Sequence, residues 1–320
     1  GATPRRAVYQ IDKAVLYRYG SDRANVSNRP PILIVYALVN RPEMADLQHG
    51  RSMVEGLLAR GFDVYLINWG SPDFADQDIG LDTYIARYLN ACVDYLLSAT
   101  RRKRLSLLGI CQGGTFSAIY TSLFPHKIDR LVTTVTPIDF HTSGDMISHL
   151  VRHVDANLLV DAIGNVDGDI LNALFLSLKP FRLLHQKYVK FLNKCDDVDK
   201  AAMFLRMEQW IFDSPALTAR SAREFAVNFY QQNRLIEGGL RFGGREVDLG
   251  RIEVPVLNVY AREDHLVPPA SSKALAGLVA TSDYREHELS GGHIGIYVGS
   301  RNSGSVADVI ADWVAERSAG

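Results

Sequence analysis

The sequence lacks the features that would place it in an oxidising compartment or a membrane. Three cysteines in 320 residues, Cys92, Cys111 and Cys195, do not make a disulfide framework. No apolar core of a secretory signal follows the opening Gly-Ala-Thr-Pro-Arg-Arg. The longest apolar run, residues 30–39, is shorter than the roughly 20 residues of a membrane helix. A cytoplasmic protein with no transmembrane segment is therefore expected. A formal charge of −1 offers no basic surplus for nucleic-acid binding. The one basic run, residues 101–104, reads as a solvated connection between a helix and a strand. His141, His149 and His153 lack metal-ligand spacing and no zinc motif is present, so neither metal nor cofactor is expected. Repeats and low-complexity stretches are absent. Position 1 is not Met, so residues are expected to precede it.

What is present is a globular composition, 47% hydrophobic and 22% charged, able to bury a large core. Short continuous apolar runs at 32–36, 62–68, 105–108 and 131–135 read as strands buried on both faces. Between them, 46–60 and 81–99 have helical spacing, the second with apolar positions from Tyr84 to Leu96. Alternation of strand and helix implies a mostly parallel sheet flanked by helices. The alternation stops at Pro137 and resumes with strands at 254–260 and 284–289 and a closing helix at 305–317. A structureless loop of that length is improbable in a compact domain. The expectation is an α/β core, 1–138 and 251–320, carrying a mainly helical cap or lid over 139–250.

The sharpest local signal is Gly109-Ile110-Cys111-Gln112-Gly113-Gly114. It follows a strand and opens a helix, the context of a nucleophile elbow in the α/β-hydrolase fold. The turn is so tight that positions two before and two after the nucleophile must be small, as Gly109 and Gly113 are. A phosphate loop and a buried inert thiol are the alternatives. No Lys-Ser/Thr pair follows, and the spacing is not that of the dinucleotide fingerprint. The order nucleophile, acid, histidine then finds Asp264 after the strand at 254–260, and His293 after the last strand in Gly291-Gly292-His293. Acyl transfer also needs oxyanion donors. The N–H of Gln112 is one candidate. Leu38, after the strand at 32–36, supplies the other. His265 could line the site, and His126 reads as a turn after a helix. Cys92 reads as core, and Cys195 as partly exposed and incidental.

These stretches resemble the catalytic subunits of class III polyhydroxyalkanoate synthases. Beside the elbow, the similar segments are Val35-Tyr36-Ala37-Leu38-Val39-Asn40-Arg41-Pro42, Val64 to Asp73, Arg262-Glu263-Asp264-His265 and Gly291-Gly292-His293. They run from about residue 30 to residue 300, nearly the whole chain. The resemblance implies polymerisation of (R)-3-hydroxyacyl-CoA, typically 3-hydroxybutyryl-CoA, into polyester on intracellular granules. It implies Cys111 as nucleophile, His293 as base and Asp264 as acid. Tyr230 and Asn233 resemble a cap segment near the substrate channel, although a plain amphipathic helix explains them equally well. A non-catalytic second subunit is implied, and a homodimer is expected.

Cysteine suits this chemistry. Thioester-to-thioester exchange is near energetic balance, whereas a serine ester is a poorer acyl donor. A cysteine hydrolase of the dienelactone hydrolase or thioesterase type is the alternative enzyme. A non-catalytic granule-binding scaffold is the alternative from another class.

Overall fold

A computed structural model describes residues 1–20, 30–192, 196–298 and 305–316. Eight strands form one sheet: β1 (Arg5–Ile11), β2 (Ala14–Tyr19), β3 (Ile32–Val35), β4 (Val64–Asn68), β5 (Leu105–Ile110), β6 (Ile128–Thr134), β9 (Val256–Ala261) and β10 (Tyr284–Leu289). A separate small hairpin pairs β7 (Arg241–Phe242) with β8 (Arg245–Glu246). The order across the sheet is β1-β2-β4-β3-β5-β6-β9-β10. β1 pairs with β2, and β2 with β4, antiparallel; every other pairing is parallel. All residues of β3, β5 and β9 are buried, because apolar layers cover both faces. One layer contains Leu33, Tyr84, Phe116 and Phe229, the other Leu57, Leu66, Ile310 and Trp313. This is the mostly parallel sheet flanked by helices expected from the apolar runs.

Helices α1 (Met53–Ala59), α2 (Asn90–Thr100) and α3 (Gln112–Leu123) connect the early strands. A wider-wound stretch, Thr83–Leu89, leads directly into α2. The helix expected at 46–60 starts only at Met53. Asp46 is buried and accepts from Thr3 N (2.8 Å), Thr3 Oγ1 (2.7 Å) and Ser52 Oγ (2.6 Å). Ser52 in turn caps α1 by accepting from Glu55 N. The β1–β2 hairpin has no counterpart in the sequence reading. β1 lies at the sheet edge with no fully buried residue, so it carries no strong apolar pattern. The basic run 101–104 does connect α2 to β5, with Arg101 in a left-handed turn.

Between β6 and β9 the chain forms α4 (Met146–Val151), α5 (Ala156–Ile163), α6 (Gly168–Ser177), α7 (Lys187–Leu192), α8 (Val198–Phe212) and α9 (Ala219–Phe225). Their starts are written locally. Asp145, Asp155, Asp167, Asp197 and Thr218 each accept a first-turn N–H of the helix that follows. Among the described residues no helix is long and apolar enough to cross a membrane.

Strand order changes direction at β3, with β4 on one side and β5 on the other. The crevice at their carboxyl ends is where open α/β sheets place ligands. Helix α3 leaves this crevice in close contact with the strands. A Cβ on Gly113 would stand 2.1 Å from the Val35 carbonyl oxygen, and one on Gly109 2.3 Å from the Gly114 Cα. Gly114 is tight for another reason: its Cβ would meet Thr136 Oγ1 at 1.8 Å. Gly113→Ala should therefore destabilise the protein by about 1–3 kcal/mol or more, as overpacking against backbone does. Gly277→Ala, whose Cβ meets nothing within 4 Å, should change little. Urea unfolding midpoints of the two variants provide the check.

Candidate active site

Cys111 sits between β5 and α3 with φ 54° and ψ −127°, a conformation that a residue with a side chain adopts only under constraint. The constraint is visible. Cys111 N donates to Thr134 O at 2.9 Å, and Gly114 N donates to Cys111 O at 2.8 Å. The thiol stands at the N-terminal end of α3, where first-turn N–H groups have no partner inside the helix. Cys92 is different: it is buried on α2, and burial pushes its thiol up to about 12, so it is inert at neutral pH. Cys195 lies outside the described residues.

Asp264 occupies the turn after β9. Its Oδ1 accepts from Leu266 N (2.9 Å) and Val267 N (3.0 Å), and its Oδ2 accepts from His293 Nδ1 at 2.7 Å. Both side chains are buried. Assigning Nδ1–H to the carboxylate leaves the other ring nitrogen as an acceptor, and Cys111 is close enough for its charge to act on the ring. The loops that carry acid and histidine are tied to each other. Arg262 N donates to Leu289 O and Glu263 N to Gly291 O, both at 2.9 Å. Gly291 adopts φ 117°, which only glycine takes readily. Burial works against the His293 imidazolium, but the charges of Asp264 and Cys111 and the hydrogen bond to Asp264 outweigh it. The ring pKa is held well above the ordinary 6.5.

Cys111, Gln112 and His293 border a cavity of about 640 Å³, well within the range of small-molecule sites. The loop after β3 and helices α4–α6, α8 and α9 supply much of the remaining wall, mostly with aliphatic and aromatic side chains. Tyr230 lines it, its phenol pushed well above 10 by burial and the charges of Asp145 and Cys111. His265 lines it as well. Asn233 does not. Its Nδ2 donates to Asp139 Oδ1 (2.9 Å) and its Oδ1 accepts from Phe140 N (3.0 Å), so both ends of the amide are engaged in holding the chain beyond β6. Leu38 lies on the loop after β3. Its N–H donates to Gln112 Oε1 at 2.8 Å, and the loop residues that face the cavity are Tyr36, Ala37, Val39 and Asn40. Two polar wall residues escaped the sequence reading, Asp145 and Asn172. Burial raises the Asp145 carboxyl to about 6. Its place as N-cap of α4 was readable, but its place in the wall was not. Among the described residues no cluster of three His, Cys, Asp or Glu could hold a metal ion.

The α/β-hydrolase-fold family model matches residues 30–300. The chain is 52% identical over 318 residues to the poly(3-hydroxyalkanoate) polymerase subunit PhaC of Thiocystis violacea, covering 99% of this chain and 90% of that one. It is equally similar to the subunit of the same name from Allochromatium vinosum, 52% identical with the same coverage. Among solved structures it is similar to a monoacylglycerol lipase from Paleococcus ferrophilus, with a TM-score of 0.58 at 16% identity, covering 93% of this chain and 97% of the lipase. At that identity the likeness is one of fold.

The source of the raised His293 pKa can be tested. Asp264→Asn removes the strongest influence opposing burial, so the ring pKa should fall. Histidine NMR titration should show the wild-type ring still protonated above pH 6.5 and the variant ring neutral there. The linked stability has a definite sign. A raised folded-state pKa contributes fully below the unfolded value near 6.5 and is lost as pH rises through the folded value.

Proposed function

The chain belongs to the poly(3-hydroxyalkanoate) polymerase subunits of the α/β-hydrolase fold, and we propose that it polymerises (R)-3-hydroxyacyl-CoA, with 3-hydroxybutyryl-CoA as substrate, through a thioester on Cys111. The observation that carries this reading is the constrained Cys111, which borders one largely apolar cavity together with a His293 hydrogen-bonded to buried Asp264. His293 takes the thiol proton. The thiolate attacks the thioester carbonyl, CoA leaves, and the acyl group remains on sulfur. The 3-hydroxyl of the next monomer then attacks that thioester as His293 removes its proton. The Cys111–acyl bond breaks with the proton returning to the Cys111–His293 pair, and the lengthened acyl-CoA reacylates Cys111 with release of protonated CoA. Asp264 holds the ring and balances its charge.

For the oxyanion, Gln112 N–H is one donor, at the start of α3. With the N–H of Leu38 directed at the Gln112 side chain, the second donor falls to the adjacent wall residue Ala37. Tyr230 contacts the acyl chain. Residues 139–250 act as the cap, excluding water that would hydrolyse the intermediate. Leu158, Phe181, Leu192 and Val198 of this segment are exposed. Such a surface suits a non-catalytic second subunit, a twin copy in a homodimer, or polyester on a granule in the cytoplasm.

Cys111→Ala should abolish CoA release while leaving the fold intact. Cys111→Ser should retain some acylation and lose chain growth. Assays of CoA and of polymer from 3-hydroxybutyryl-CoA decide this, and CoA release by Cys111→Ala at the wild-type rate would refute the nucleophile. Asp264→Asn should still acylate from monomer but elongate poorly, as single-turnover labelling of Cys111 would show. Free 3-hydroxy acid in place of polymer would indicate a hydrolase.

A further inference from the structure

Helix α6 places one side chain whose chemistry none of the steps above uses. Asn172 is 5% exposed and lines the cavity. Its Oδ1 accepts from Ser214 Oγ at 2.9 Å, whereas its Nδ2 has no hydrogen-bond partner. A buried amide N–H₂ without an acceptor is uncommon and calls for an explanation. Loose packing is not the explanation. A Cβ on Gly168 would stand 2.1 Å from Ser214 O, so α6 lies directly on that backbone. Val166 and Leu217 exchange backbone hydrogen bonds of 2.9 and 2.8 Å beside it. Ser214 Oγ also bonds Asn40 Oδ1, on the loop after β3. Ser214 Oγ has a single proton and lies within reach of both amide oxygens and of Ile211 O, at 3.4 Å. Around the orphaned donor, α6 presents Ile170, Leu171, Leu174 and Phe175 to the cavity.

A fixed donor in an apolar wall selects an acceptor that brings no donor of its own to be buried unpaired. A carbonyl oxygen is such a group. We propose that Asn172 is a substrate-binding residue whose Nδ2 donates to a carbonyl oxygen of the acyl substrate lying in the cavity. This rests on reading the cavity as the acyl-transfer site. Two parts of the reacting system share the chemistry: the ester carbonyls of the polyester and the amide carbonyls of the pantetheine arm of CoA. Either contact would also anchor the ligand to the Asn40–Ser214–Asn172 set, which joins the loop after β3 to α6 and to the chain after α8.

The test compares the full chain as wild type, Asn172→Leu and Ser214→Ala. Asn172→Asp, which keeps the shape and the acceptor for Ser214 but has no donor, stands in if the Leu variant does not fold. Two substrates are used, 3-hydroxybutyryl-CoA and the 3-hydroxybutyryl thioester of ethanethiol, which has no amide. Single-turnover acylation of Cys111 and polymer length are measured. If the partner is a pantetheine carbonyl, the Asn172 variants should lose about 2- to 12-fold in acylation by the CoA substrate, the worth of one neutral hydrogen bond, and nothing with the ethanethiol ester. If it is a chain carbonyl, acylation by both should be unchanged, and elongation should slow and polymer shorten by a similar factor. Asn172 variants equal to wild type in both measurements would overturn the proposal. So would an equal loss with both thioesters that Ser214→Ala reproduces, since that marks a structural role. Absence of polymer from the wild type would overturn the polymerase reading separately, and the Asn172 contact would still be read from acylation.

Discussion

Everything at this site depends on the backbone of Cys111 being held at φ 54°. A conformation of this kind costs on the order of 1–3 kcal/mol and persists only where its surroundings enforce it. Here they are the approach of α3 to β3 at Gly113, its approach to β5 at Gly109, and the bond from Cys111 N to Thr134 O. Side chains at either glycine would separate helix from strand, and the elbow would relax. With the elbow closed, the thiol stands at the sheet's switch point, facing loops that leave β9 and β10.

Charge is the second constraint. An imidazolium buried in this protein is tenable because Asp264 lies 2.7 Å from it and two backbone N–H groups fix the carboxylate. The rest of the cavity wall is largely apolar, so the polar chemistry is concentrated on a short line from Asp264 through His293 to Cys111. Apolar surface and the polar groups Cys111 and His293 thus share one cavity. On the proposed polymerase reading, a growing chain must stay activated between additions, which a thioester on Cys111 and exclusion of water by the segment between β6 and β9 would allow.

The sequence was most legible where burial is two-sided. β3, β5 and β9 read as continuous apolar runs because both faces are covered. The order and spacing of Cys111, Asp264 and His293 could be read because each follows a strand whose end is marked by glycine or a polar turn. Legibility failed where a distant partner decides the outcome. The start of α1 depends on Asp46 being captured by Thr3, 43 positions away. The direction of the Leu38 N–H depends on the Gln112 side chain, and Asn233 is engaged by Asp139 and Phe140. No local pattern records such contacts. Asp145 caps α4 and Asn172 sits on α6. Only the packing of the segment between β6 and β9 turns both toward the cavity.

The most direct measurement of the central claim is peptide mass spectrometry of the protein after one turnover with 3-hydroxybutyryl-CoA. The account expects one hydroxyacyl unit on the peptide carrying Cys111, removable by hydroxylamine as a thioester is, with an equal amount of CoA released. Further units should appear on that same peptide as more monomer is supplied. Released CoA with free 3-hydroxy acid and an unmodified Cys111 peptide, or an acyl group fixed on any other residue, would contradict it.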